Sequence, residues 1–175
     1  MNKKQKVELI IAAFLIICGS LVLIFPLFQF VKVKFIFISV LAVYGLLNLI
    51  KFILVRESKD YEGLFTTLAS IVALIVVCFL DVDNVLWYLA LSLFIWIIFM
   101  SLIKLKKADY YNDRKNKVWI LEIVTLILFI LSGLLTTINL YYENDIQVLV
   151  LGYFYLIHGI LELVDPLAIY LTGKK

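Results

Sequence analysis

The feature that most constrains this chain is a series of six apolar runs, at 7–26, 33–55, 62–80, 85–103, 118–140 and 146–171, joined by short polar connections. Each is as long, or nearly as long, as the about 20 helical residues needed to cross a hydrocarbon core. In a chain of 175 residues that is 65% hydrophobic and only 17% charged, too little polar surface remains to cover a water-soluble globule. Lipid leaves no water for unpaired backbone groups, and the runs are continuous rather than alternating in twos, so helices are favoured over barrel strands. The expected fold class is all-α: a polytopic membrane protein of six transmembrane helices, with 1–175 as one domain and no separate soluble part.

Cations set the expected orientation, because Lys and Arg are retained on the cytoplasmic side during insertion. The start of the chain carries Lys3, Lys4 and Lys6, the second connection Lys51, Arg56 and Lys59, the fourth six more, and the end Lys174 and Lys175. The opposite side has only Lys32 and Lys34, followed by the acidic turns DVDN at 81–84 and YYEND at 141–145. Both termini are therefore expected in the cytoplasm, with the protein a multi-pass resident of the membrane.

Three local features imitate something else. The segment MNKKQKVELIIAAFLIICGS resembles a lipoprotein signal ending at Cys18. However, Ile17 stands where cleavage wants a small residue and the apolar run continues to Phe25, so a retained first helix is expected. Cys18 and Cys78 both lie in apolar runs and read as buried core thiols rather than a disulfide. The connection KLKKADYYNDRKNK at 104–117 reads as a cytoplasmic loop with tyrosines at the headgroup level. Anionic lipid is a partner it fits, and nucleic acid is not expected.

Aligning the helices with one another reveals a repeat. Glu8, Glu62 and Glu122 each precede a small residue, Gly19, Ala73 and Gly133, by eleven positions. Eleven residues make three turns plus about 20°, so acid and small residue share a helix face. The segments YGLLNLIK (44–51), IIFMSLIK (97–104) and HGILELVD (158–165) superpose, making Asn48, Ser101 and Glu162 equivalent. The chain is thus expected to be three helix hairpins, 1–58, 59–112 and 113–175, in a pseudo-three-fold arrangement. Small residues would meet within each hairpin, Gly19 with Gly45, Ala73 with Ile98, and Gly133 with Gly159, where backbones approach closely.

This three-fold helix-pair pattern, the glycine near helix middles, Pro26 after the first helix and especially LGYFYLIHGILEL (151–163) resemble the HdeD-like acid-resistance membrane proteins. The resemblance implies a small bacterial inner-membrane protein of six helices, associated in some relatives with tolerance of acid. It carries over no site residues.

The stretch HGILELVDP is the chemical oddity of the chain. The repeat makes a polar residue at Glu162 architectural, facing the bundle interior and bonded across helices like Asn48 and Ser101. It does not account for the charge. Glu8 with Lys51, and Glu62 with Lys104, are expected to pair as opposite charges at the cytoplasmic boundary, whereas the third hairpin offers Glu122 with Asp165. His158, Glu162 and Asp165 stack on one helix face, and together with Glu122 form a candidate proton or ion cluster in which at least one carboxyl would keep its proton. The bland alternatives stay open: a neutral His158 bonded to a carbonyl, and Asp165 at the interface beside Arg114, Lys115 or Lys117. A metal at His158, Glu162 and Asp165 is not expected, since no Cys or second His stands near. No nucleophile with its base and no phosphate loop occurs, so neither enzyme activity nor a cofactor is expected. The leading functional expectation is a stress-associated membrane component without catalysis. The alternatives are a proton-linked or small-solute transporter or channel using the carboxylates, and a membrane interaction or immunity-type protein binding another membrane protein; a homo-oligomer is the other partner expected.

Overall fold

The computed structural model describes residues 3–25, 30–55, 60–79, 87–142 and 146–172, with Leu171 and Thr172 described in backbone only. It is all-α, with α1 Lys3–Ile24, α2 Val33–Val55, α3 Glu62–Phe79, α4 Trp87–Asp113, α5 Val118–Tyr141 and α6 Gln147–Thr172. All six are long and apolar enough to cross a membrane. Pro26, Leu80, the turn at 81–84, residues 143–145 of the turn at 141–145, and Arg56, Lys59, Lys174 and Lys175 lie outside the described residues.

The helices form a closed ring in which each packs on its neighbours in sequence and α6 returns to α1. Successive helices run in opposite directions, so the start of α1, α3 and α5 and the end of α2, α4 and α6 share one end of the bundle. The core holds Phe37, Leu89, Leu93, Trp96, Phe129, Leu151 and Phe154, each at most 2% exposed. Large apolar side chains such as Ile17, Phe65, Leu102, Leu131 and Leu135 cover the outside, as a bundle solvated by lipid requires.

Two expectations fail here. Residues 104–113 are not loop: α4 runs ten residues past Ile103. The reason is periodic, because Trp96, Met100, Lys104 and Ala108 continue one buried face at helical spacing. The helix ends in a Schellman turn, in which Asn116 N–H donates to Tyr111 O at 3.0 Å and Lys115 N–H to Asn112 O at 2.8 Å. Lys115 takes the left-handed position of that turn with φ 54°. Asn116 Oδ1 then accepts from Val118 N–H at 3.1 Å, starting α5.

The second failure concerns which helices the small residues join. The most extensive packing is between hairpins, α1 with α6, α2 with α3 and α4 with α5. Gly19 faces α6: a Cβ there would meet the backbone N of Leu156, Gly152 O at 2.7 Å and Leu156 Cα at 2.8 Å. Gly159 faces Ala12 and Ile16 of α1, Gly45 faces Ser70 of α3, and Gly133 faces Ile97 of α4. Ile98, matched with Ala73 by register, is 44% exposed. Ala73 is buried and its carbonyl accepts from Ser92 Oγ at 2.8 Å. The hairpin register therefore does not decide the partners; the helix face each glycine occupies does. Cys18 is half-buried and Cys78 exposed, so the expectation of two buried thiols holds for neither in full.

Candidate functional site

At the end of the bundle where α1 begins, every helix contributes an ionisable side chain to one layer. α1 supplies Lys4 and Glu8, α2 Lys51, α3 Glu62, α4 Lys104 and Lys107, α5 Glu122, and α6 Glu162 and Asp165, with Asp60 just before α3. Most of these are withdrawn from solvent: the side chains of Lys51, Lys104, Lys107, Glu8, Glu122 and Asp165 are at most 10% exposed. Charges so placed persist only when paired.

Two groups of pairs make up the layer. Lys51 Nζ lies 3.0 Å from Glu8 and 3.1 Å from Glu62, and Lys4 lies 3.4 Å from Glu62 and 3.7 Å from Glu8 and pairs with Asp60. On the other side Lys104 Nζ meets Glu162 at 2.7 Å, while Lys107 pairs with Asp165 and lies 3.7 Å from Glu122. The Lys107 contact with Glu62, at 3.5 Å, is the one ion pair among the described residues that joins the two groups. Lys107 is thus the hub of the layer, reaching carboxylates on α3, α5 and α6.

These contacts correct the expected acid crowd. Glu122, Glu162 and Asp165 do lie at one end of the bundle, but Lys104 and Lys107 stand among them. Asp165 is not at the interface beside Arg114, Lys115 or Lys117; it is 2% exposed and its cation is Lys107. Glu8 meets Lys51 as the register suggests, whereas Glu62 finds Lys107, one turn beyond Lys104. Of the two residues equivalent to Glu162, Asn48 is buried but donates to Tyr44 O of its own helix at 2.9 Å, and the Ser101 hydroxyl has no hydrogen-bond partner. Lys107 escaped sequence reasoning because it sits in a connection whose composition reads as a solvated loop. The signal available was the helical spacing from Trp96 through Lys104 to Ala108.

Below the layer, His158 is fully buried inside four rings, with centroids at 4.9 Å for Phe129, 5.5 Å for Tyr44 and Trp96, and 6.0 Å for Phe154. Its Nε2 lies 3.4 Å from Tyr44 Oη and 3.9 Å from Glu162, the latter too long for a direct hydrogen bond. Trp96 donates from Nε1 to Ser70 Oγ at 3.3 Å, and Ser70 donates to Thr66 O at 2.9 Å. Lys104, Glu162, His158 and Tyr44 therefore form a polar file leading from the layer into a packed aromatic core. Among the described residues, no group of three His, Cys, Asp or Glu side chains is arranged to hold a metal ion.

No family model, curated protein or solved structure matches the chain.

Proposed function

We propose that this protein is a non-catalytic, multi-pass component of a bacterial cytoplasmic membrane that contributes to tolerance of acid, in keeping with its resemblance to the HdeD-like proteins. Its charged layer faces the cytoplasm and is the part on which protons act. The observation that carries this reading is that all six helices are tied at one end by buried pairs in which every acceptor is a carboxylate, the group that acid neutralises. The repeat of Glu8, Glu62 and Glu122 supports a pseudo-three-fold plan for that layer, in which Lys51 and Lys107 answer the first two acids and Asp165 takes the place of a cation beside the third.

The filled interior supports a membrane component over a conduit. Phe129, Phe154, Trp96 and Tyr44 close around His158 directly below the layer, so the polar file ends in packed rings. Reconstituted into liposomes under a pH gradient, the protein is expected to pass protons no faster than empty vesicles. A flux that Glu162→Gln abolishes would contradict this reading and establish the carrier instead.

A further inference from the structure

The layer differs from one helix boundary to the next. Beside the three closest helix pairs stand three looser seams, α1 with α2, α3 with α4 and α5 with α6. Each seam has ionisable side chains across its charged end. Glu8 meets Lys51 across the first at 3.0 Å, and Glu62 meets Lys107 across the second at 3.5 Å. At the third, two acids converge: Glu122 of α5 and Asp165 of α6 share the ammonium of Lys107, which belongs to neither helix. The Glu122 side chain is fully buried and neither of its oxygens has a hydrogen-bond partner, nor has Oδ1 of Asp165.

The groups around these two acids are otherwise committed. From α4, Lys104 is bound to Glu162, and Tyr111 stands half-buried beside Lys107. From α6, His158 is held among its rings. At the same level of α1 and α2, Lys4, Glu8 and Lys51 engage one another and Glu62. Two carboxylates therefore face one cation that a third carboxylate also claims.

We propose that Glu122 and Asp165 form a proton-binding site at the α5–α6 seam, and that a proton taken up there releases Lys107 to Glu62 across the α3–α4 seam. A proton on either acid removes one of two negative charges gathered at a single ammonium. A proton on Glu62 would instead take the partner from three, Lys4 at 3.4 Å, Lys51 at 3.1 Å and Lys107 at 3.5 Å. Acid thus enters at the third seam, and its effect is delivered at the second. The proton comes from water at the charged end, and Lys107 keeps its own protons, exchanging only the carboxylate that it faces. This site rests on the reading of the layer as the part that acid acts on, but purified protein tests it apart from any role in the cell.

The experiment uses the full chain in lipid nanodiscs with Cys18 and Cys78 replaced by alanine. Spin labels at Ile120 and Leu167 span the α5–α6 seam, and labels at Phe65 and Leu105 the α3–α4 seam, all four being exposed positions. Asp165→Asn stands in for the protonated site. At neutral pH it is expected to shift the 65–105 distances to shorter values, matching those of the parent in acid, with the 120–167 distances unchanged. Lys107→Gln should abolish the acid shift at 65–105 and lengthen 120–167 at neutral pH, and adding Asp165→Asn should restore the latter. That rescue separates charge from packing, because a mere loss of packing is not repaired by removing a second charge. An acid shift that survives Lys107→Gln, or an Asp165→Asn protein whose 65–105 distances match the parent at neutral pH, would overturn the proposal.

Discussion

Lys104 and Glu162 show what a buried pair does for this bundle. With their charged atoms 2.7 Å apart and their side chains 6% and 14% exposed, each is the other's main compensation for leaving water. Removing one partner leaves the other charge stranded, at a cost of about 3 to 5 kcal/mol, whereas replacing both by apolar groups removes both desolvation penalties. Lys104→Met should therefore destabilise the protein by that amount, and Lys104→Met with Glu162→Met should recover most of it, as read from reversible unfolding in detergent. Losses in Lys104→Met and Glu162→Met that simply add in the double variant would mean that the pair contributes nothing as a pair. At this scale the sequence was informative where charge and register agreed, as for Glu8 and Lys51, because both stand at helix ends whose limits follow from hydropathy. It was silent on Lys107, because the identity of a lysine does not say whether its carbon stem lies along a helix face or in a loop. That depended on ten further residues of helix.

Among the elements, length and hydropathy were enough to place six helices, but not to say which faces meet. Gly19 illustrates the difference. A methyl group there would press on the backbone of Gly152 and Leu156, which cannot turn aside, while one at Gly45 would meet the Ser70 side chain, Cβ at 3.2 Å and Oγ at 3.7 Å. Gly19→Ala is expected to lower stability by about 1 to 3 kcal/mol by forcing α1 from α6, and Gly45→Ala to cost distinctly less. Thermal unfolding of the two variants side by side checks this order, and a reversed order would contradict the packing. The end of α4 makes an opposite prediction. Lys115 holds a left-handed conformation that glycine adopts without steric penalty, so Lys115→Gly should raise stability by up to about 1 kcal/mol. A fall in melting temperature would show that its side chain matters more than its backbone. Neither feature was legible beforehand, because glycine spacing marks a close approach without naming the neighbour, and a lysine gives no sign of left-handed geometry.

The whole molecule has a polarity that the cations announced and the charged layer gives a structural basis. The start of α1 and the end of α6 share the end that holds the layer, and α4 projects there with Asn112 exposed. The proposed orientation predicts that a cysteine at Asn112 reacts with an impermeant reagent only from the cytoplasm, and one at Phe30, at the opposite end and 87% exposed, only from outside. Asn144, the natural choice from the sequence, lies outside the described residues. Labelling of both positions from one face would contradict the six-span arrangement. The central claim is that protons act on this protein through a layer organised by Lys107. Its most direct test is survival at low pH of cells lacking the protein and supplied with the parent, Lys107→Arg or Lys107→Gln at equal levels in the membrane. The parent should restore survival, the arginine variant should restore it largely because the charge remains, and the glutamine variant should not. Full rescue by Lys107→Gln, or no loss of survival when the protein is absent, would contradict the account.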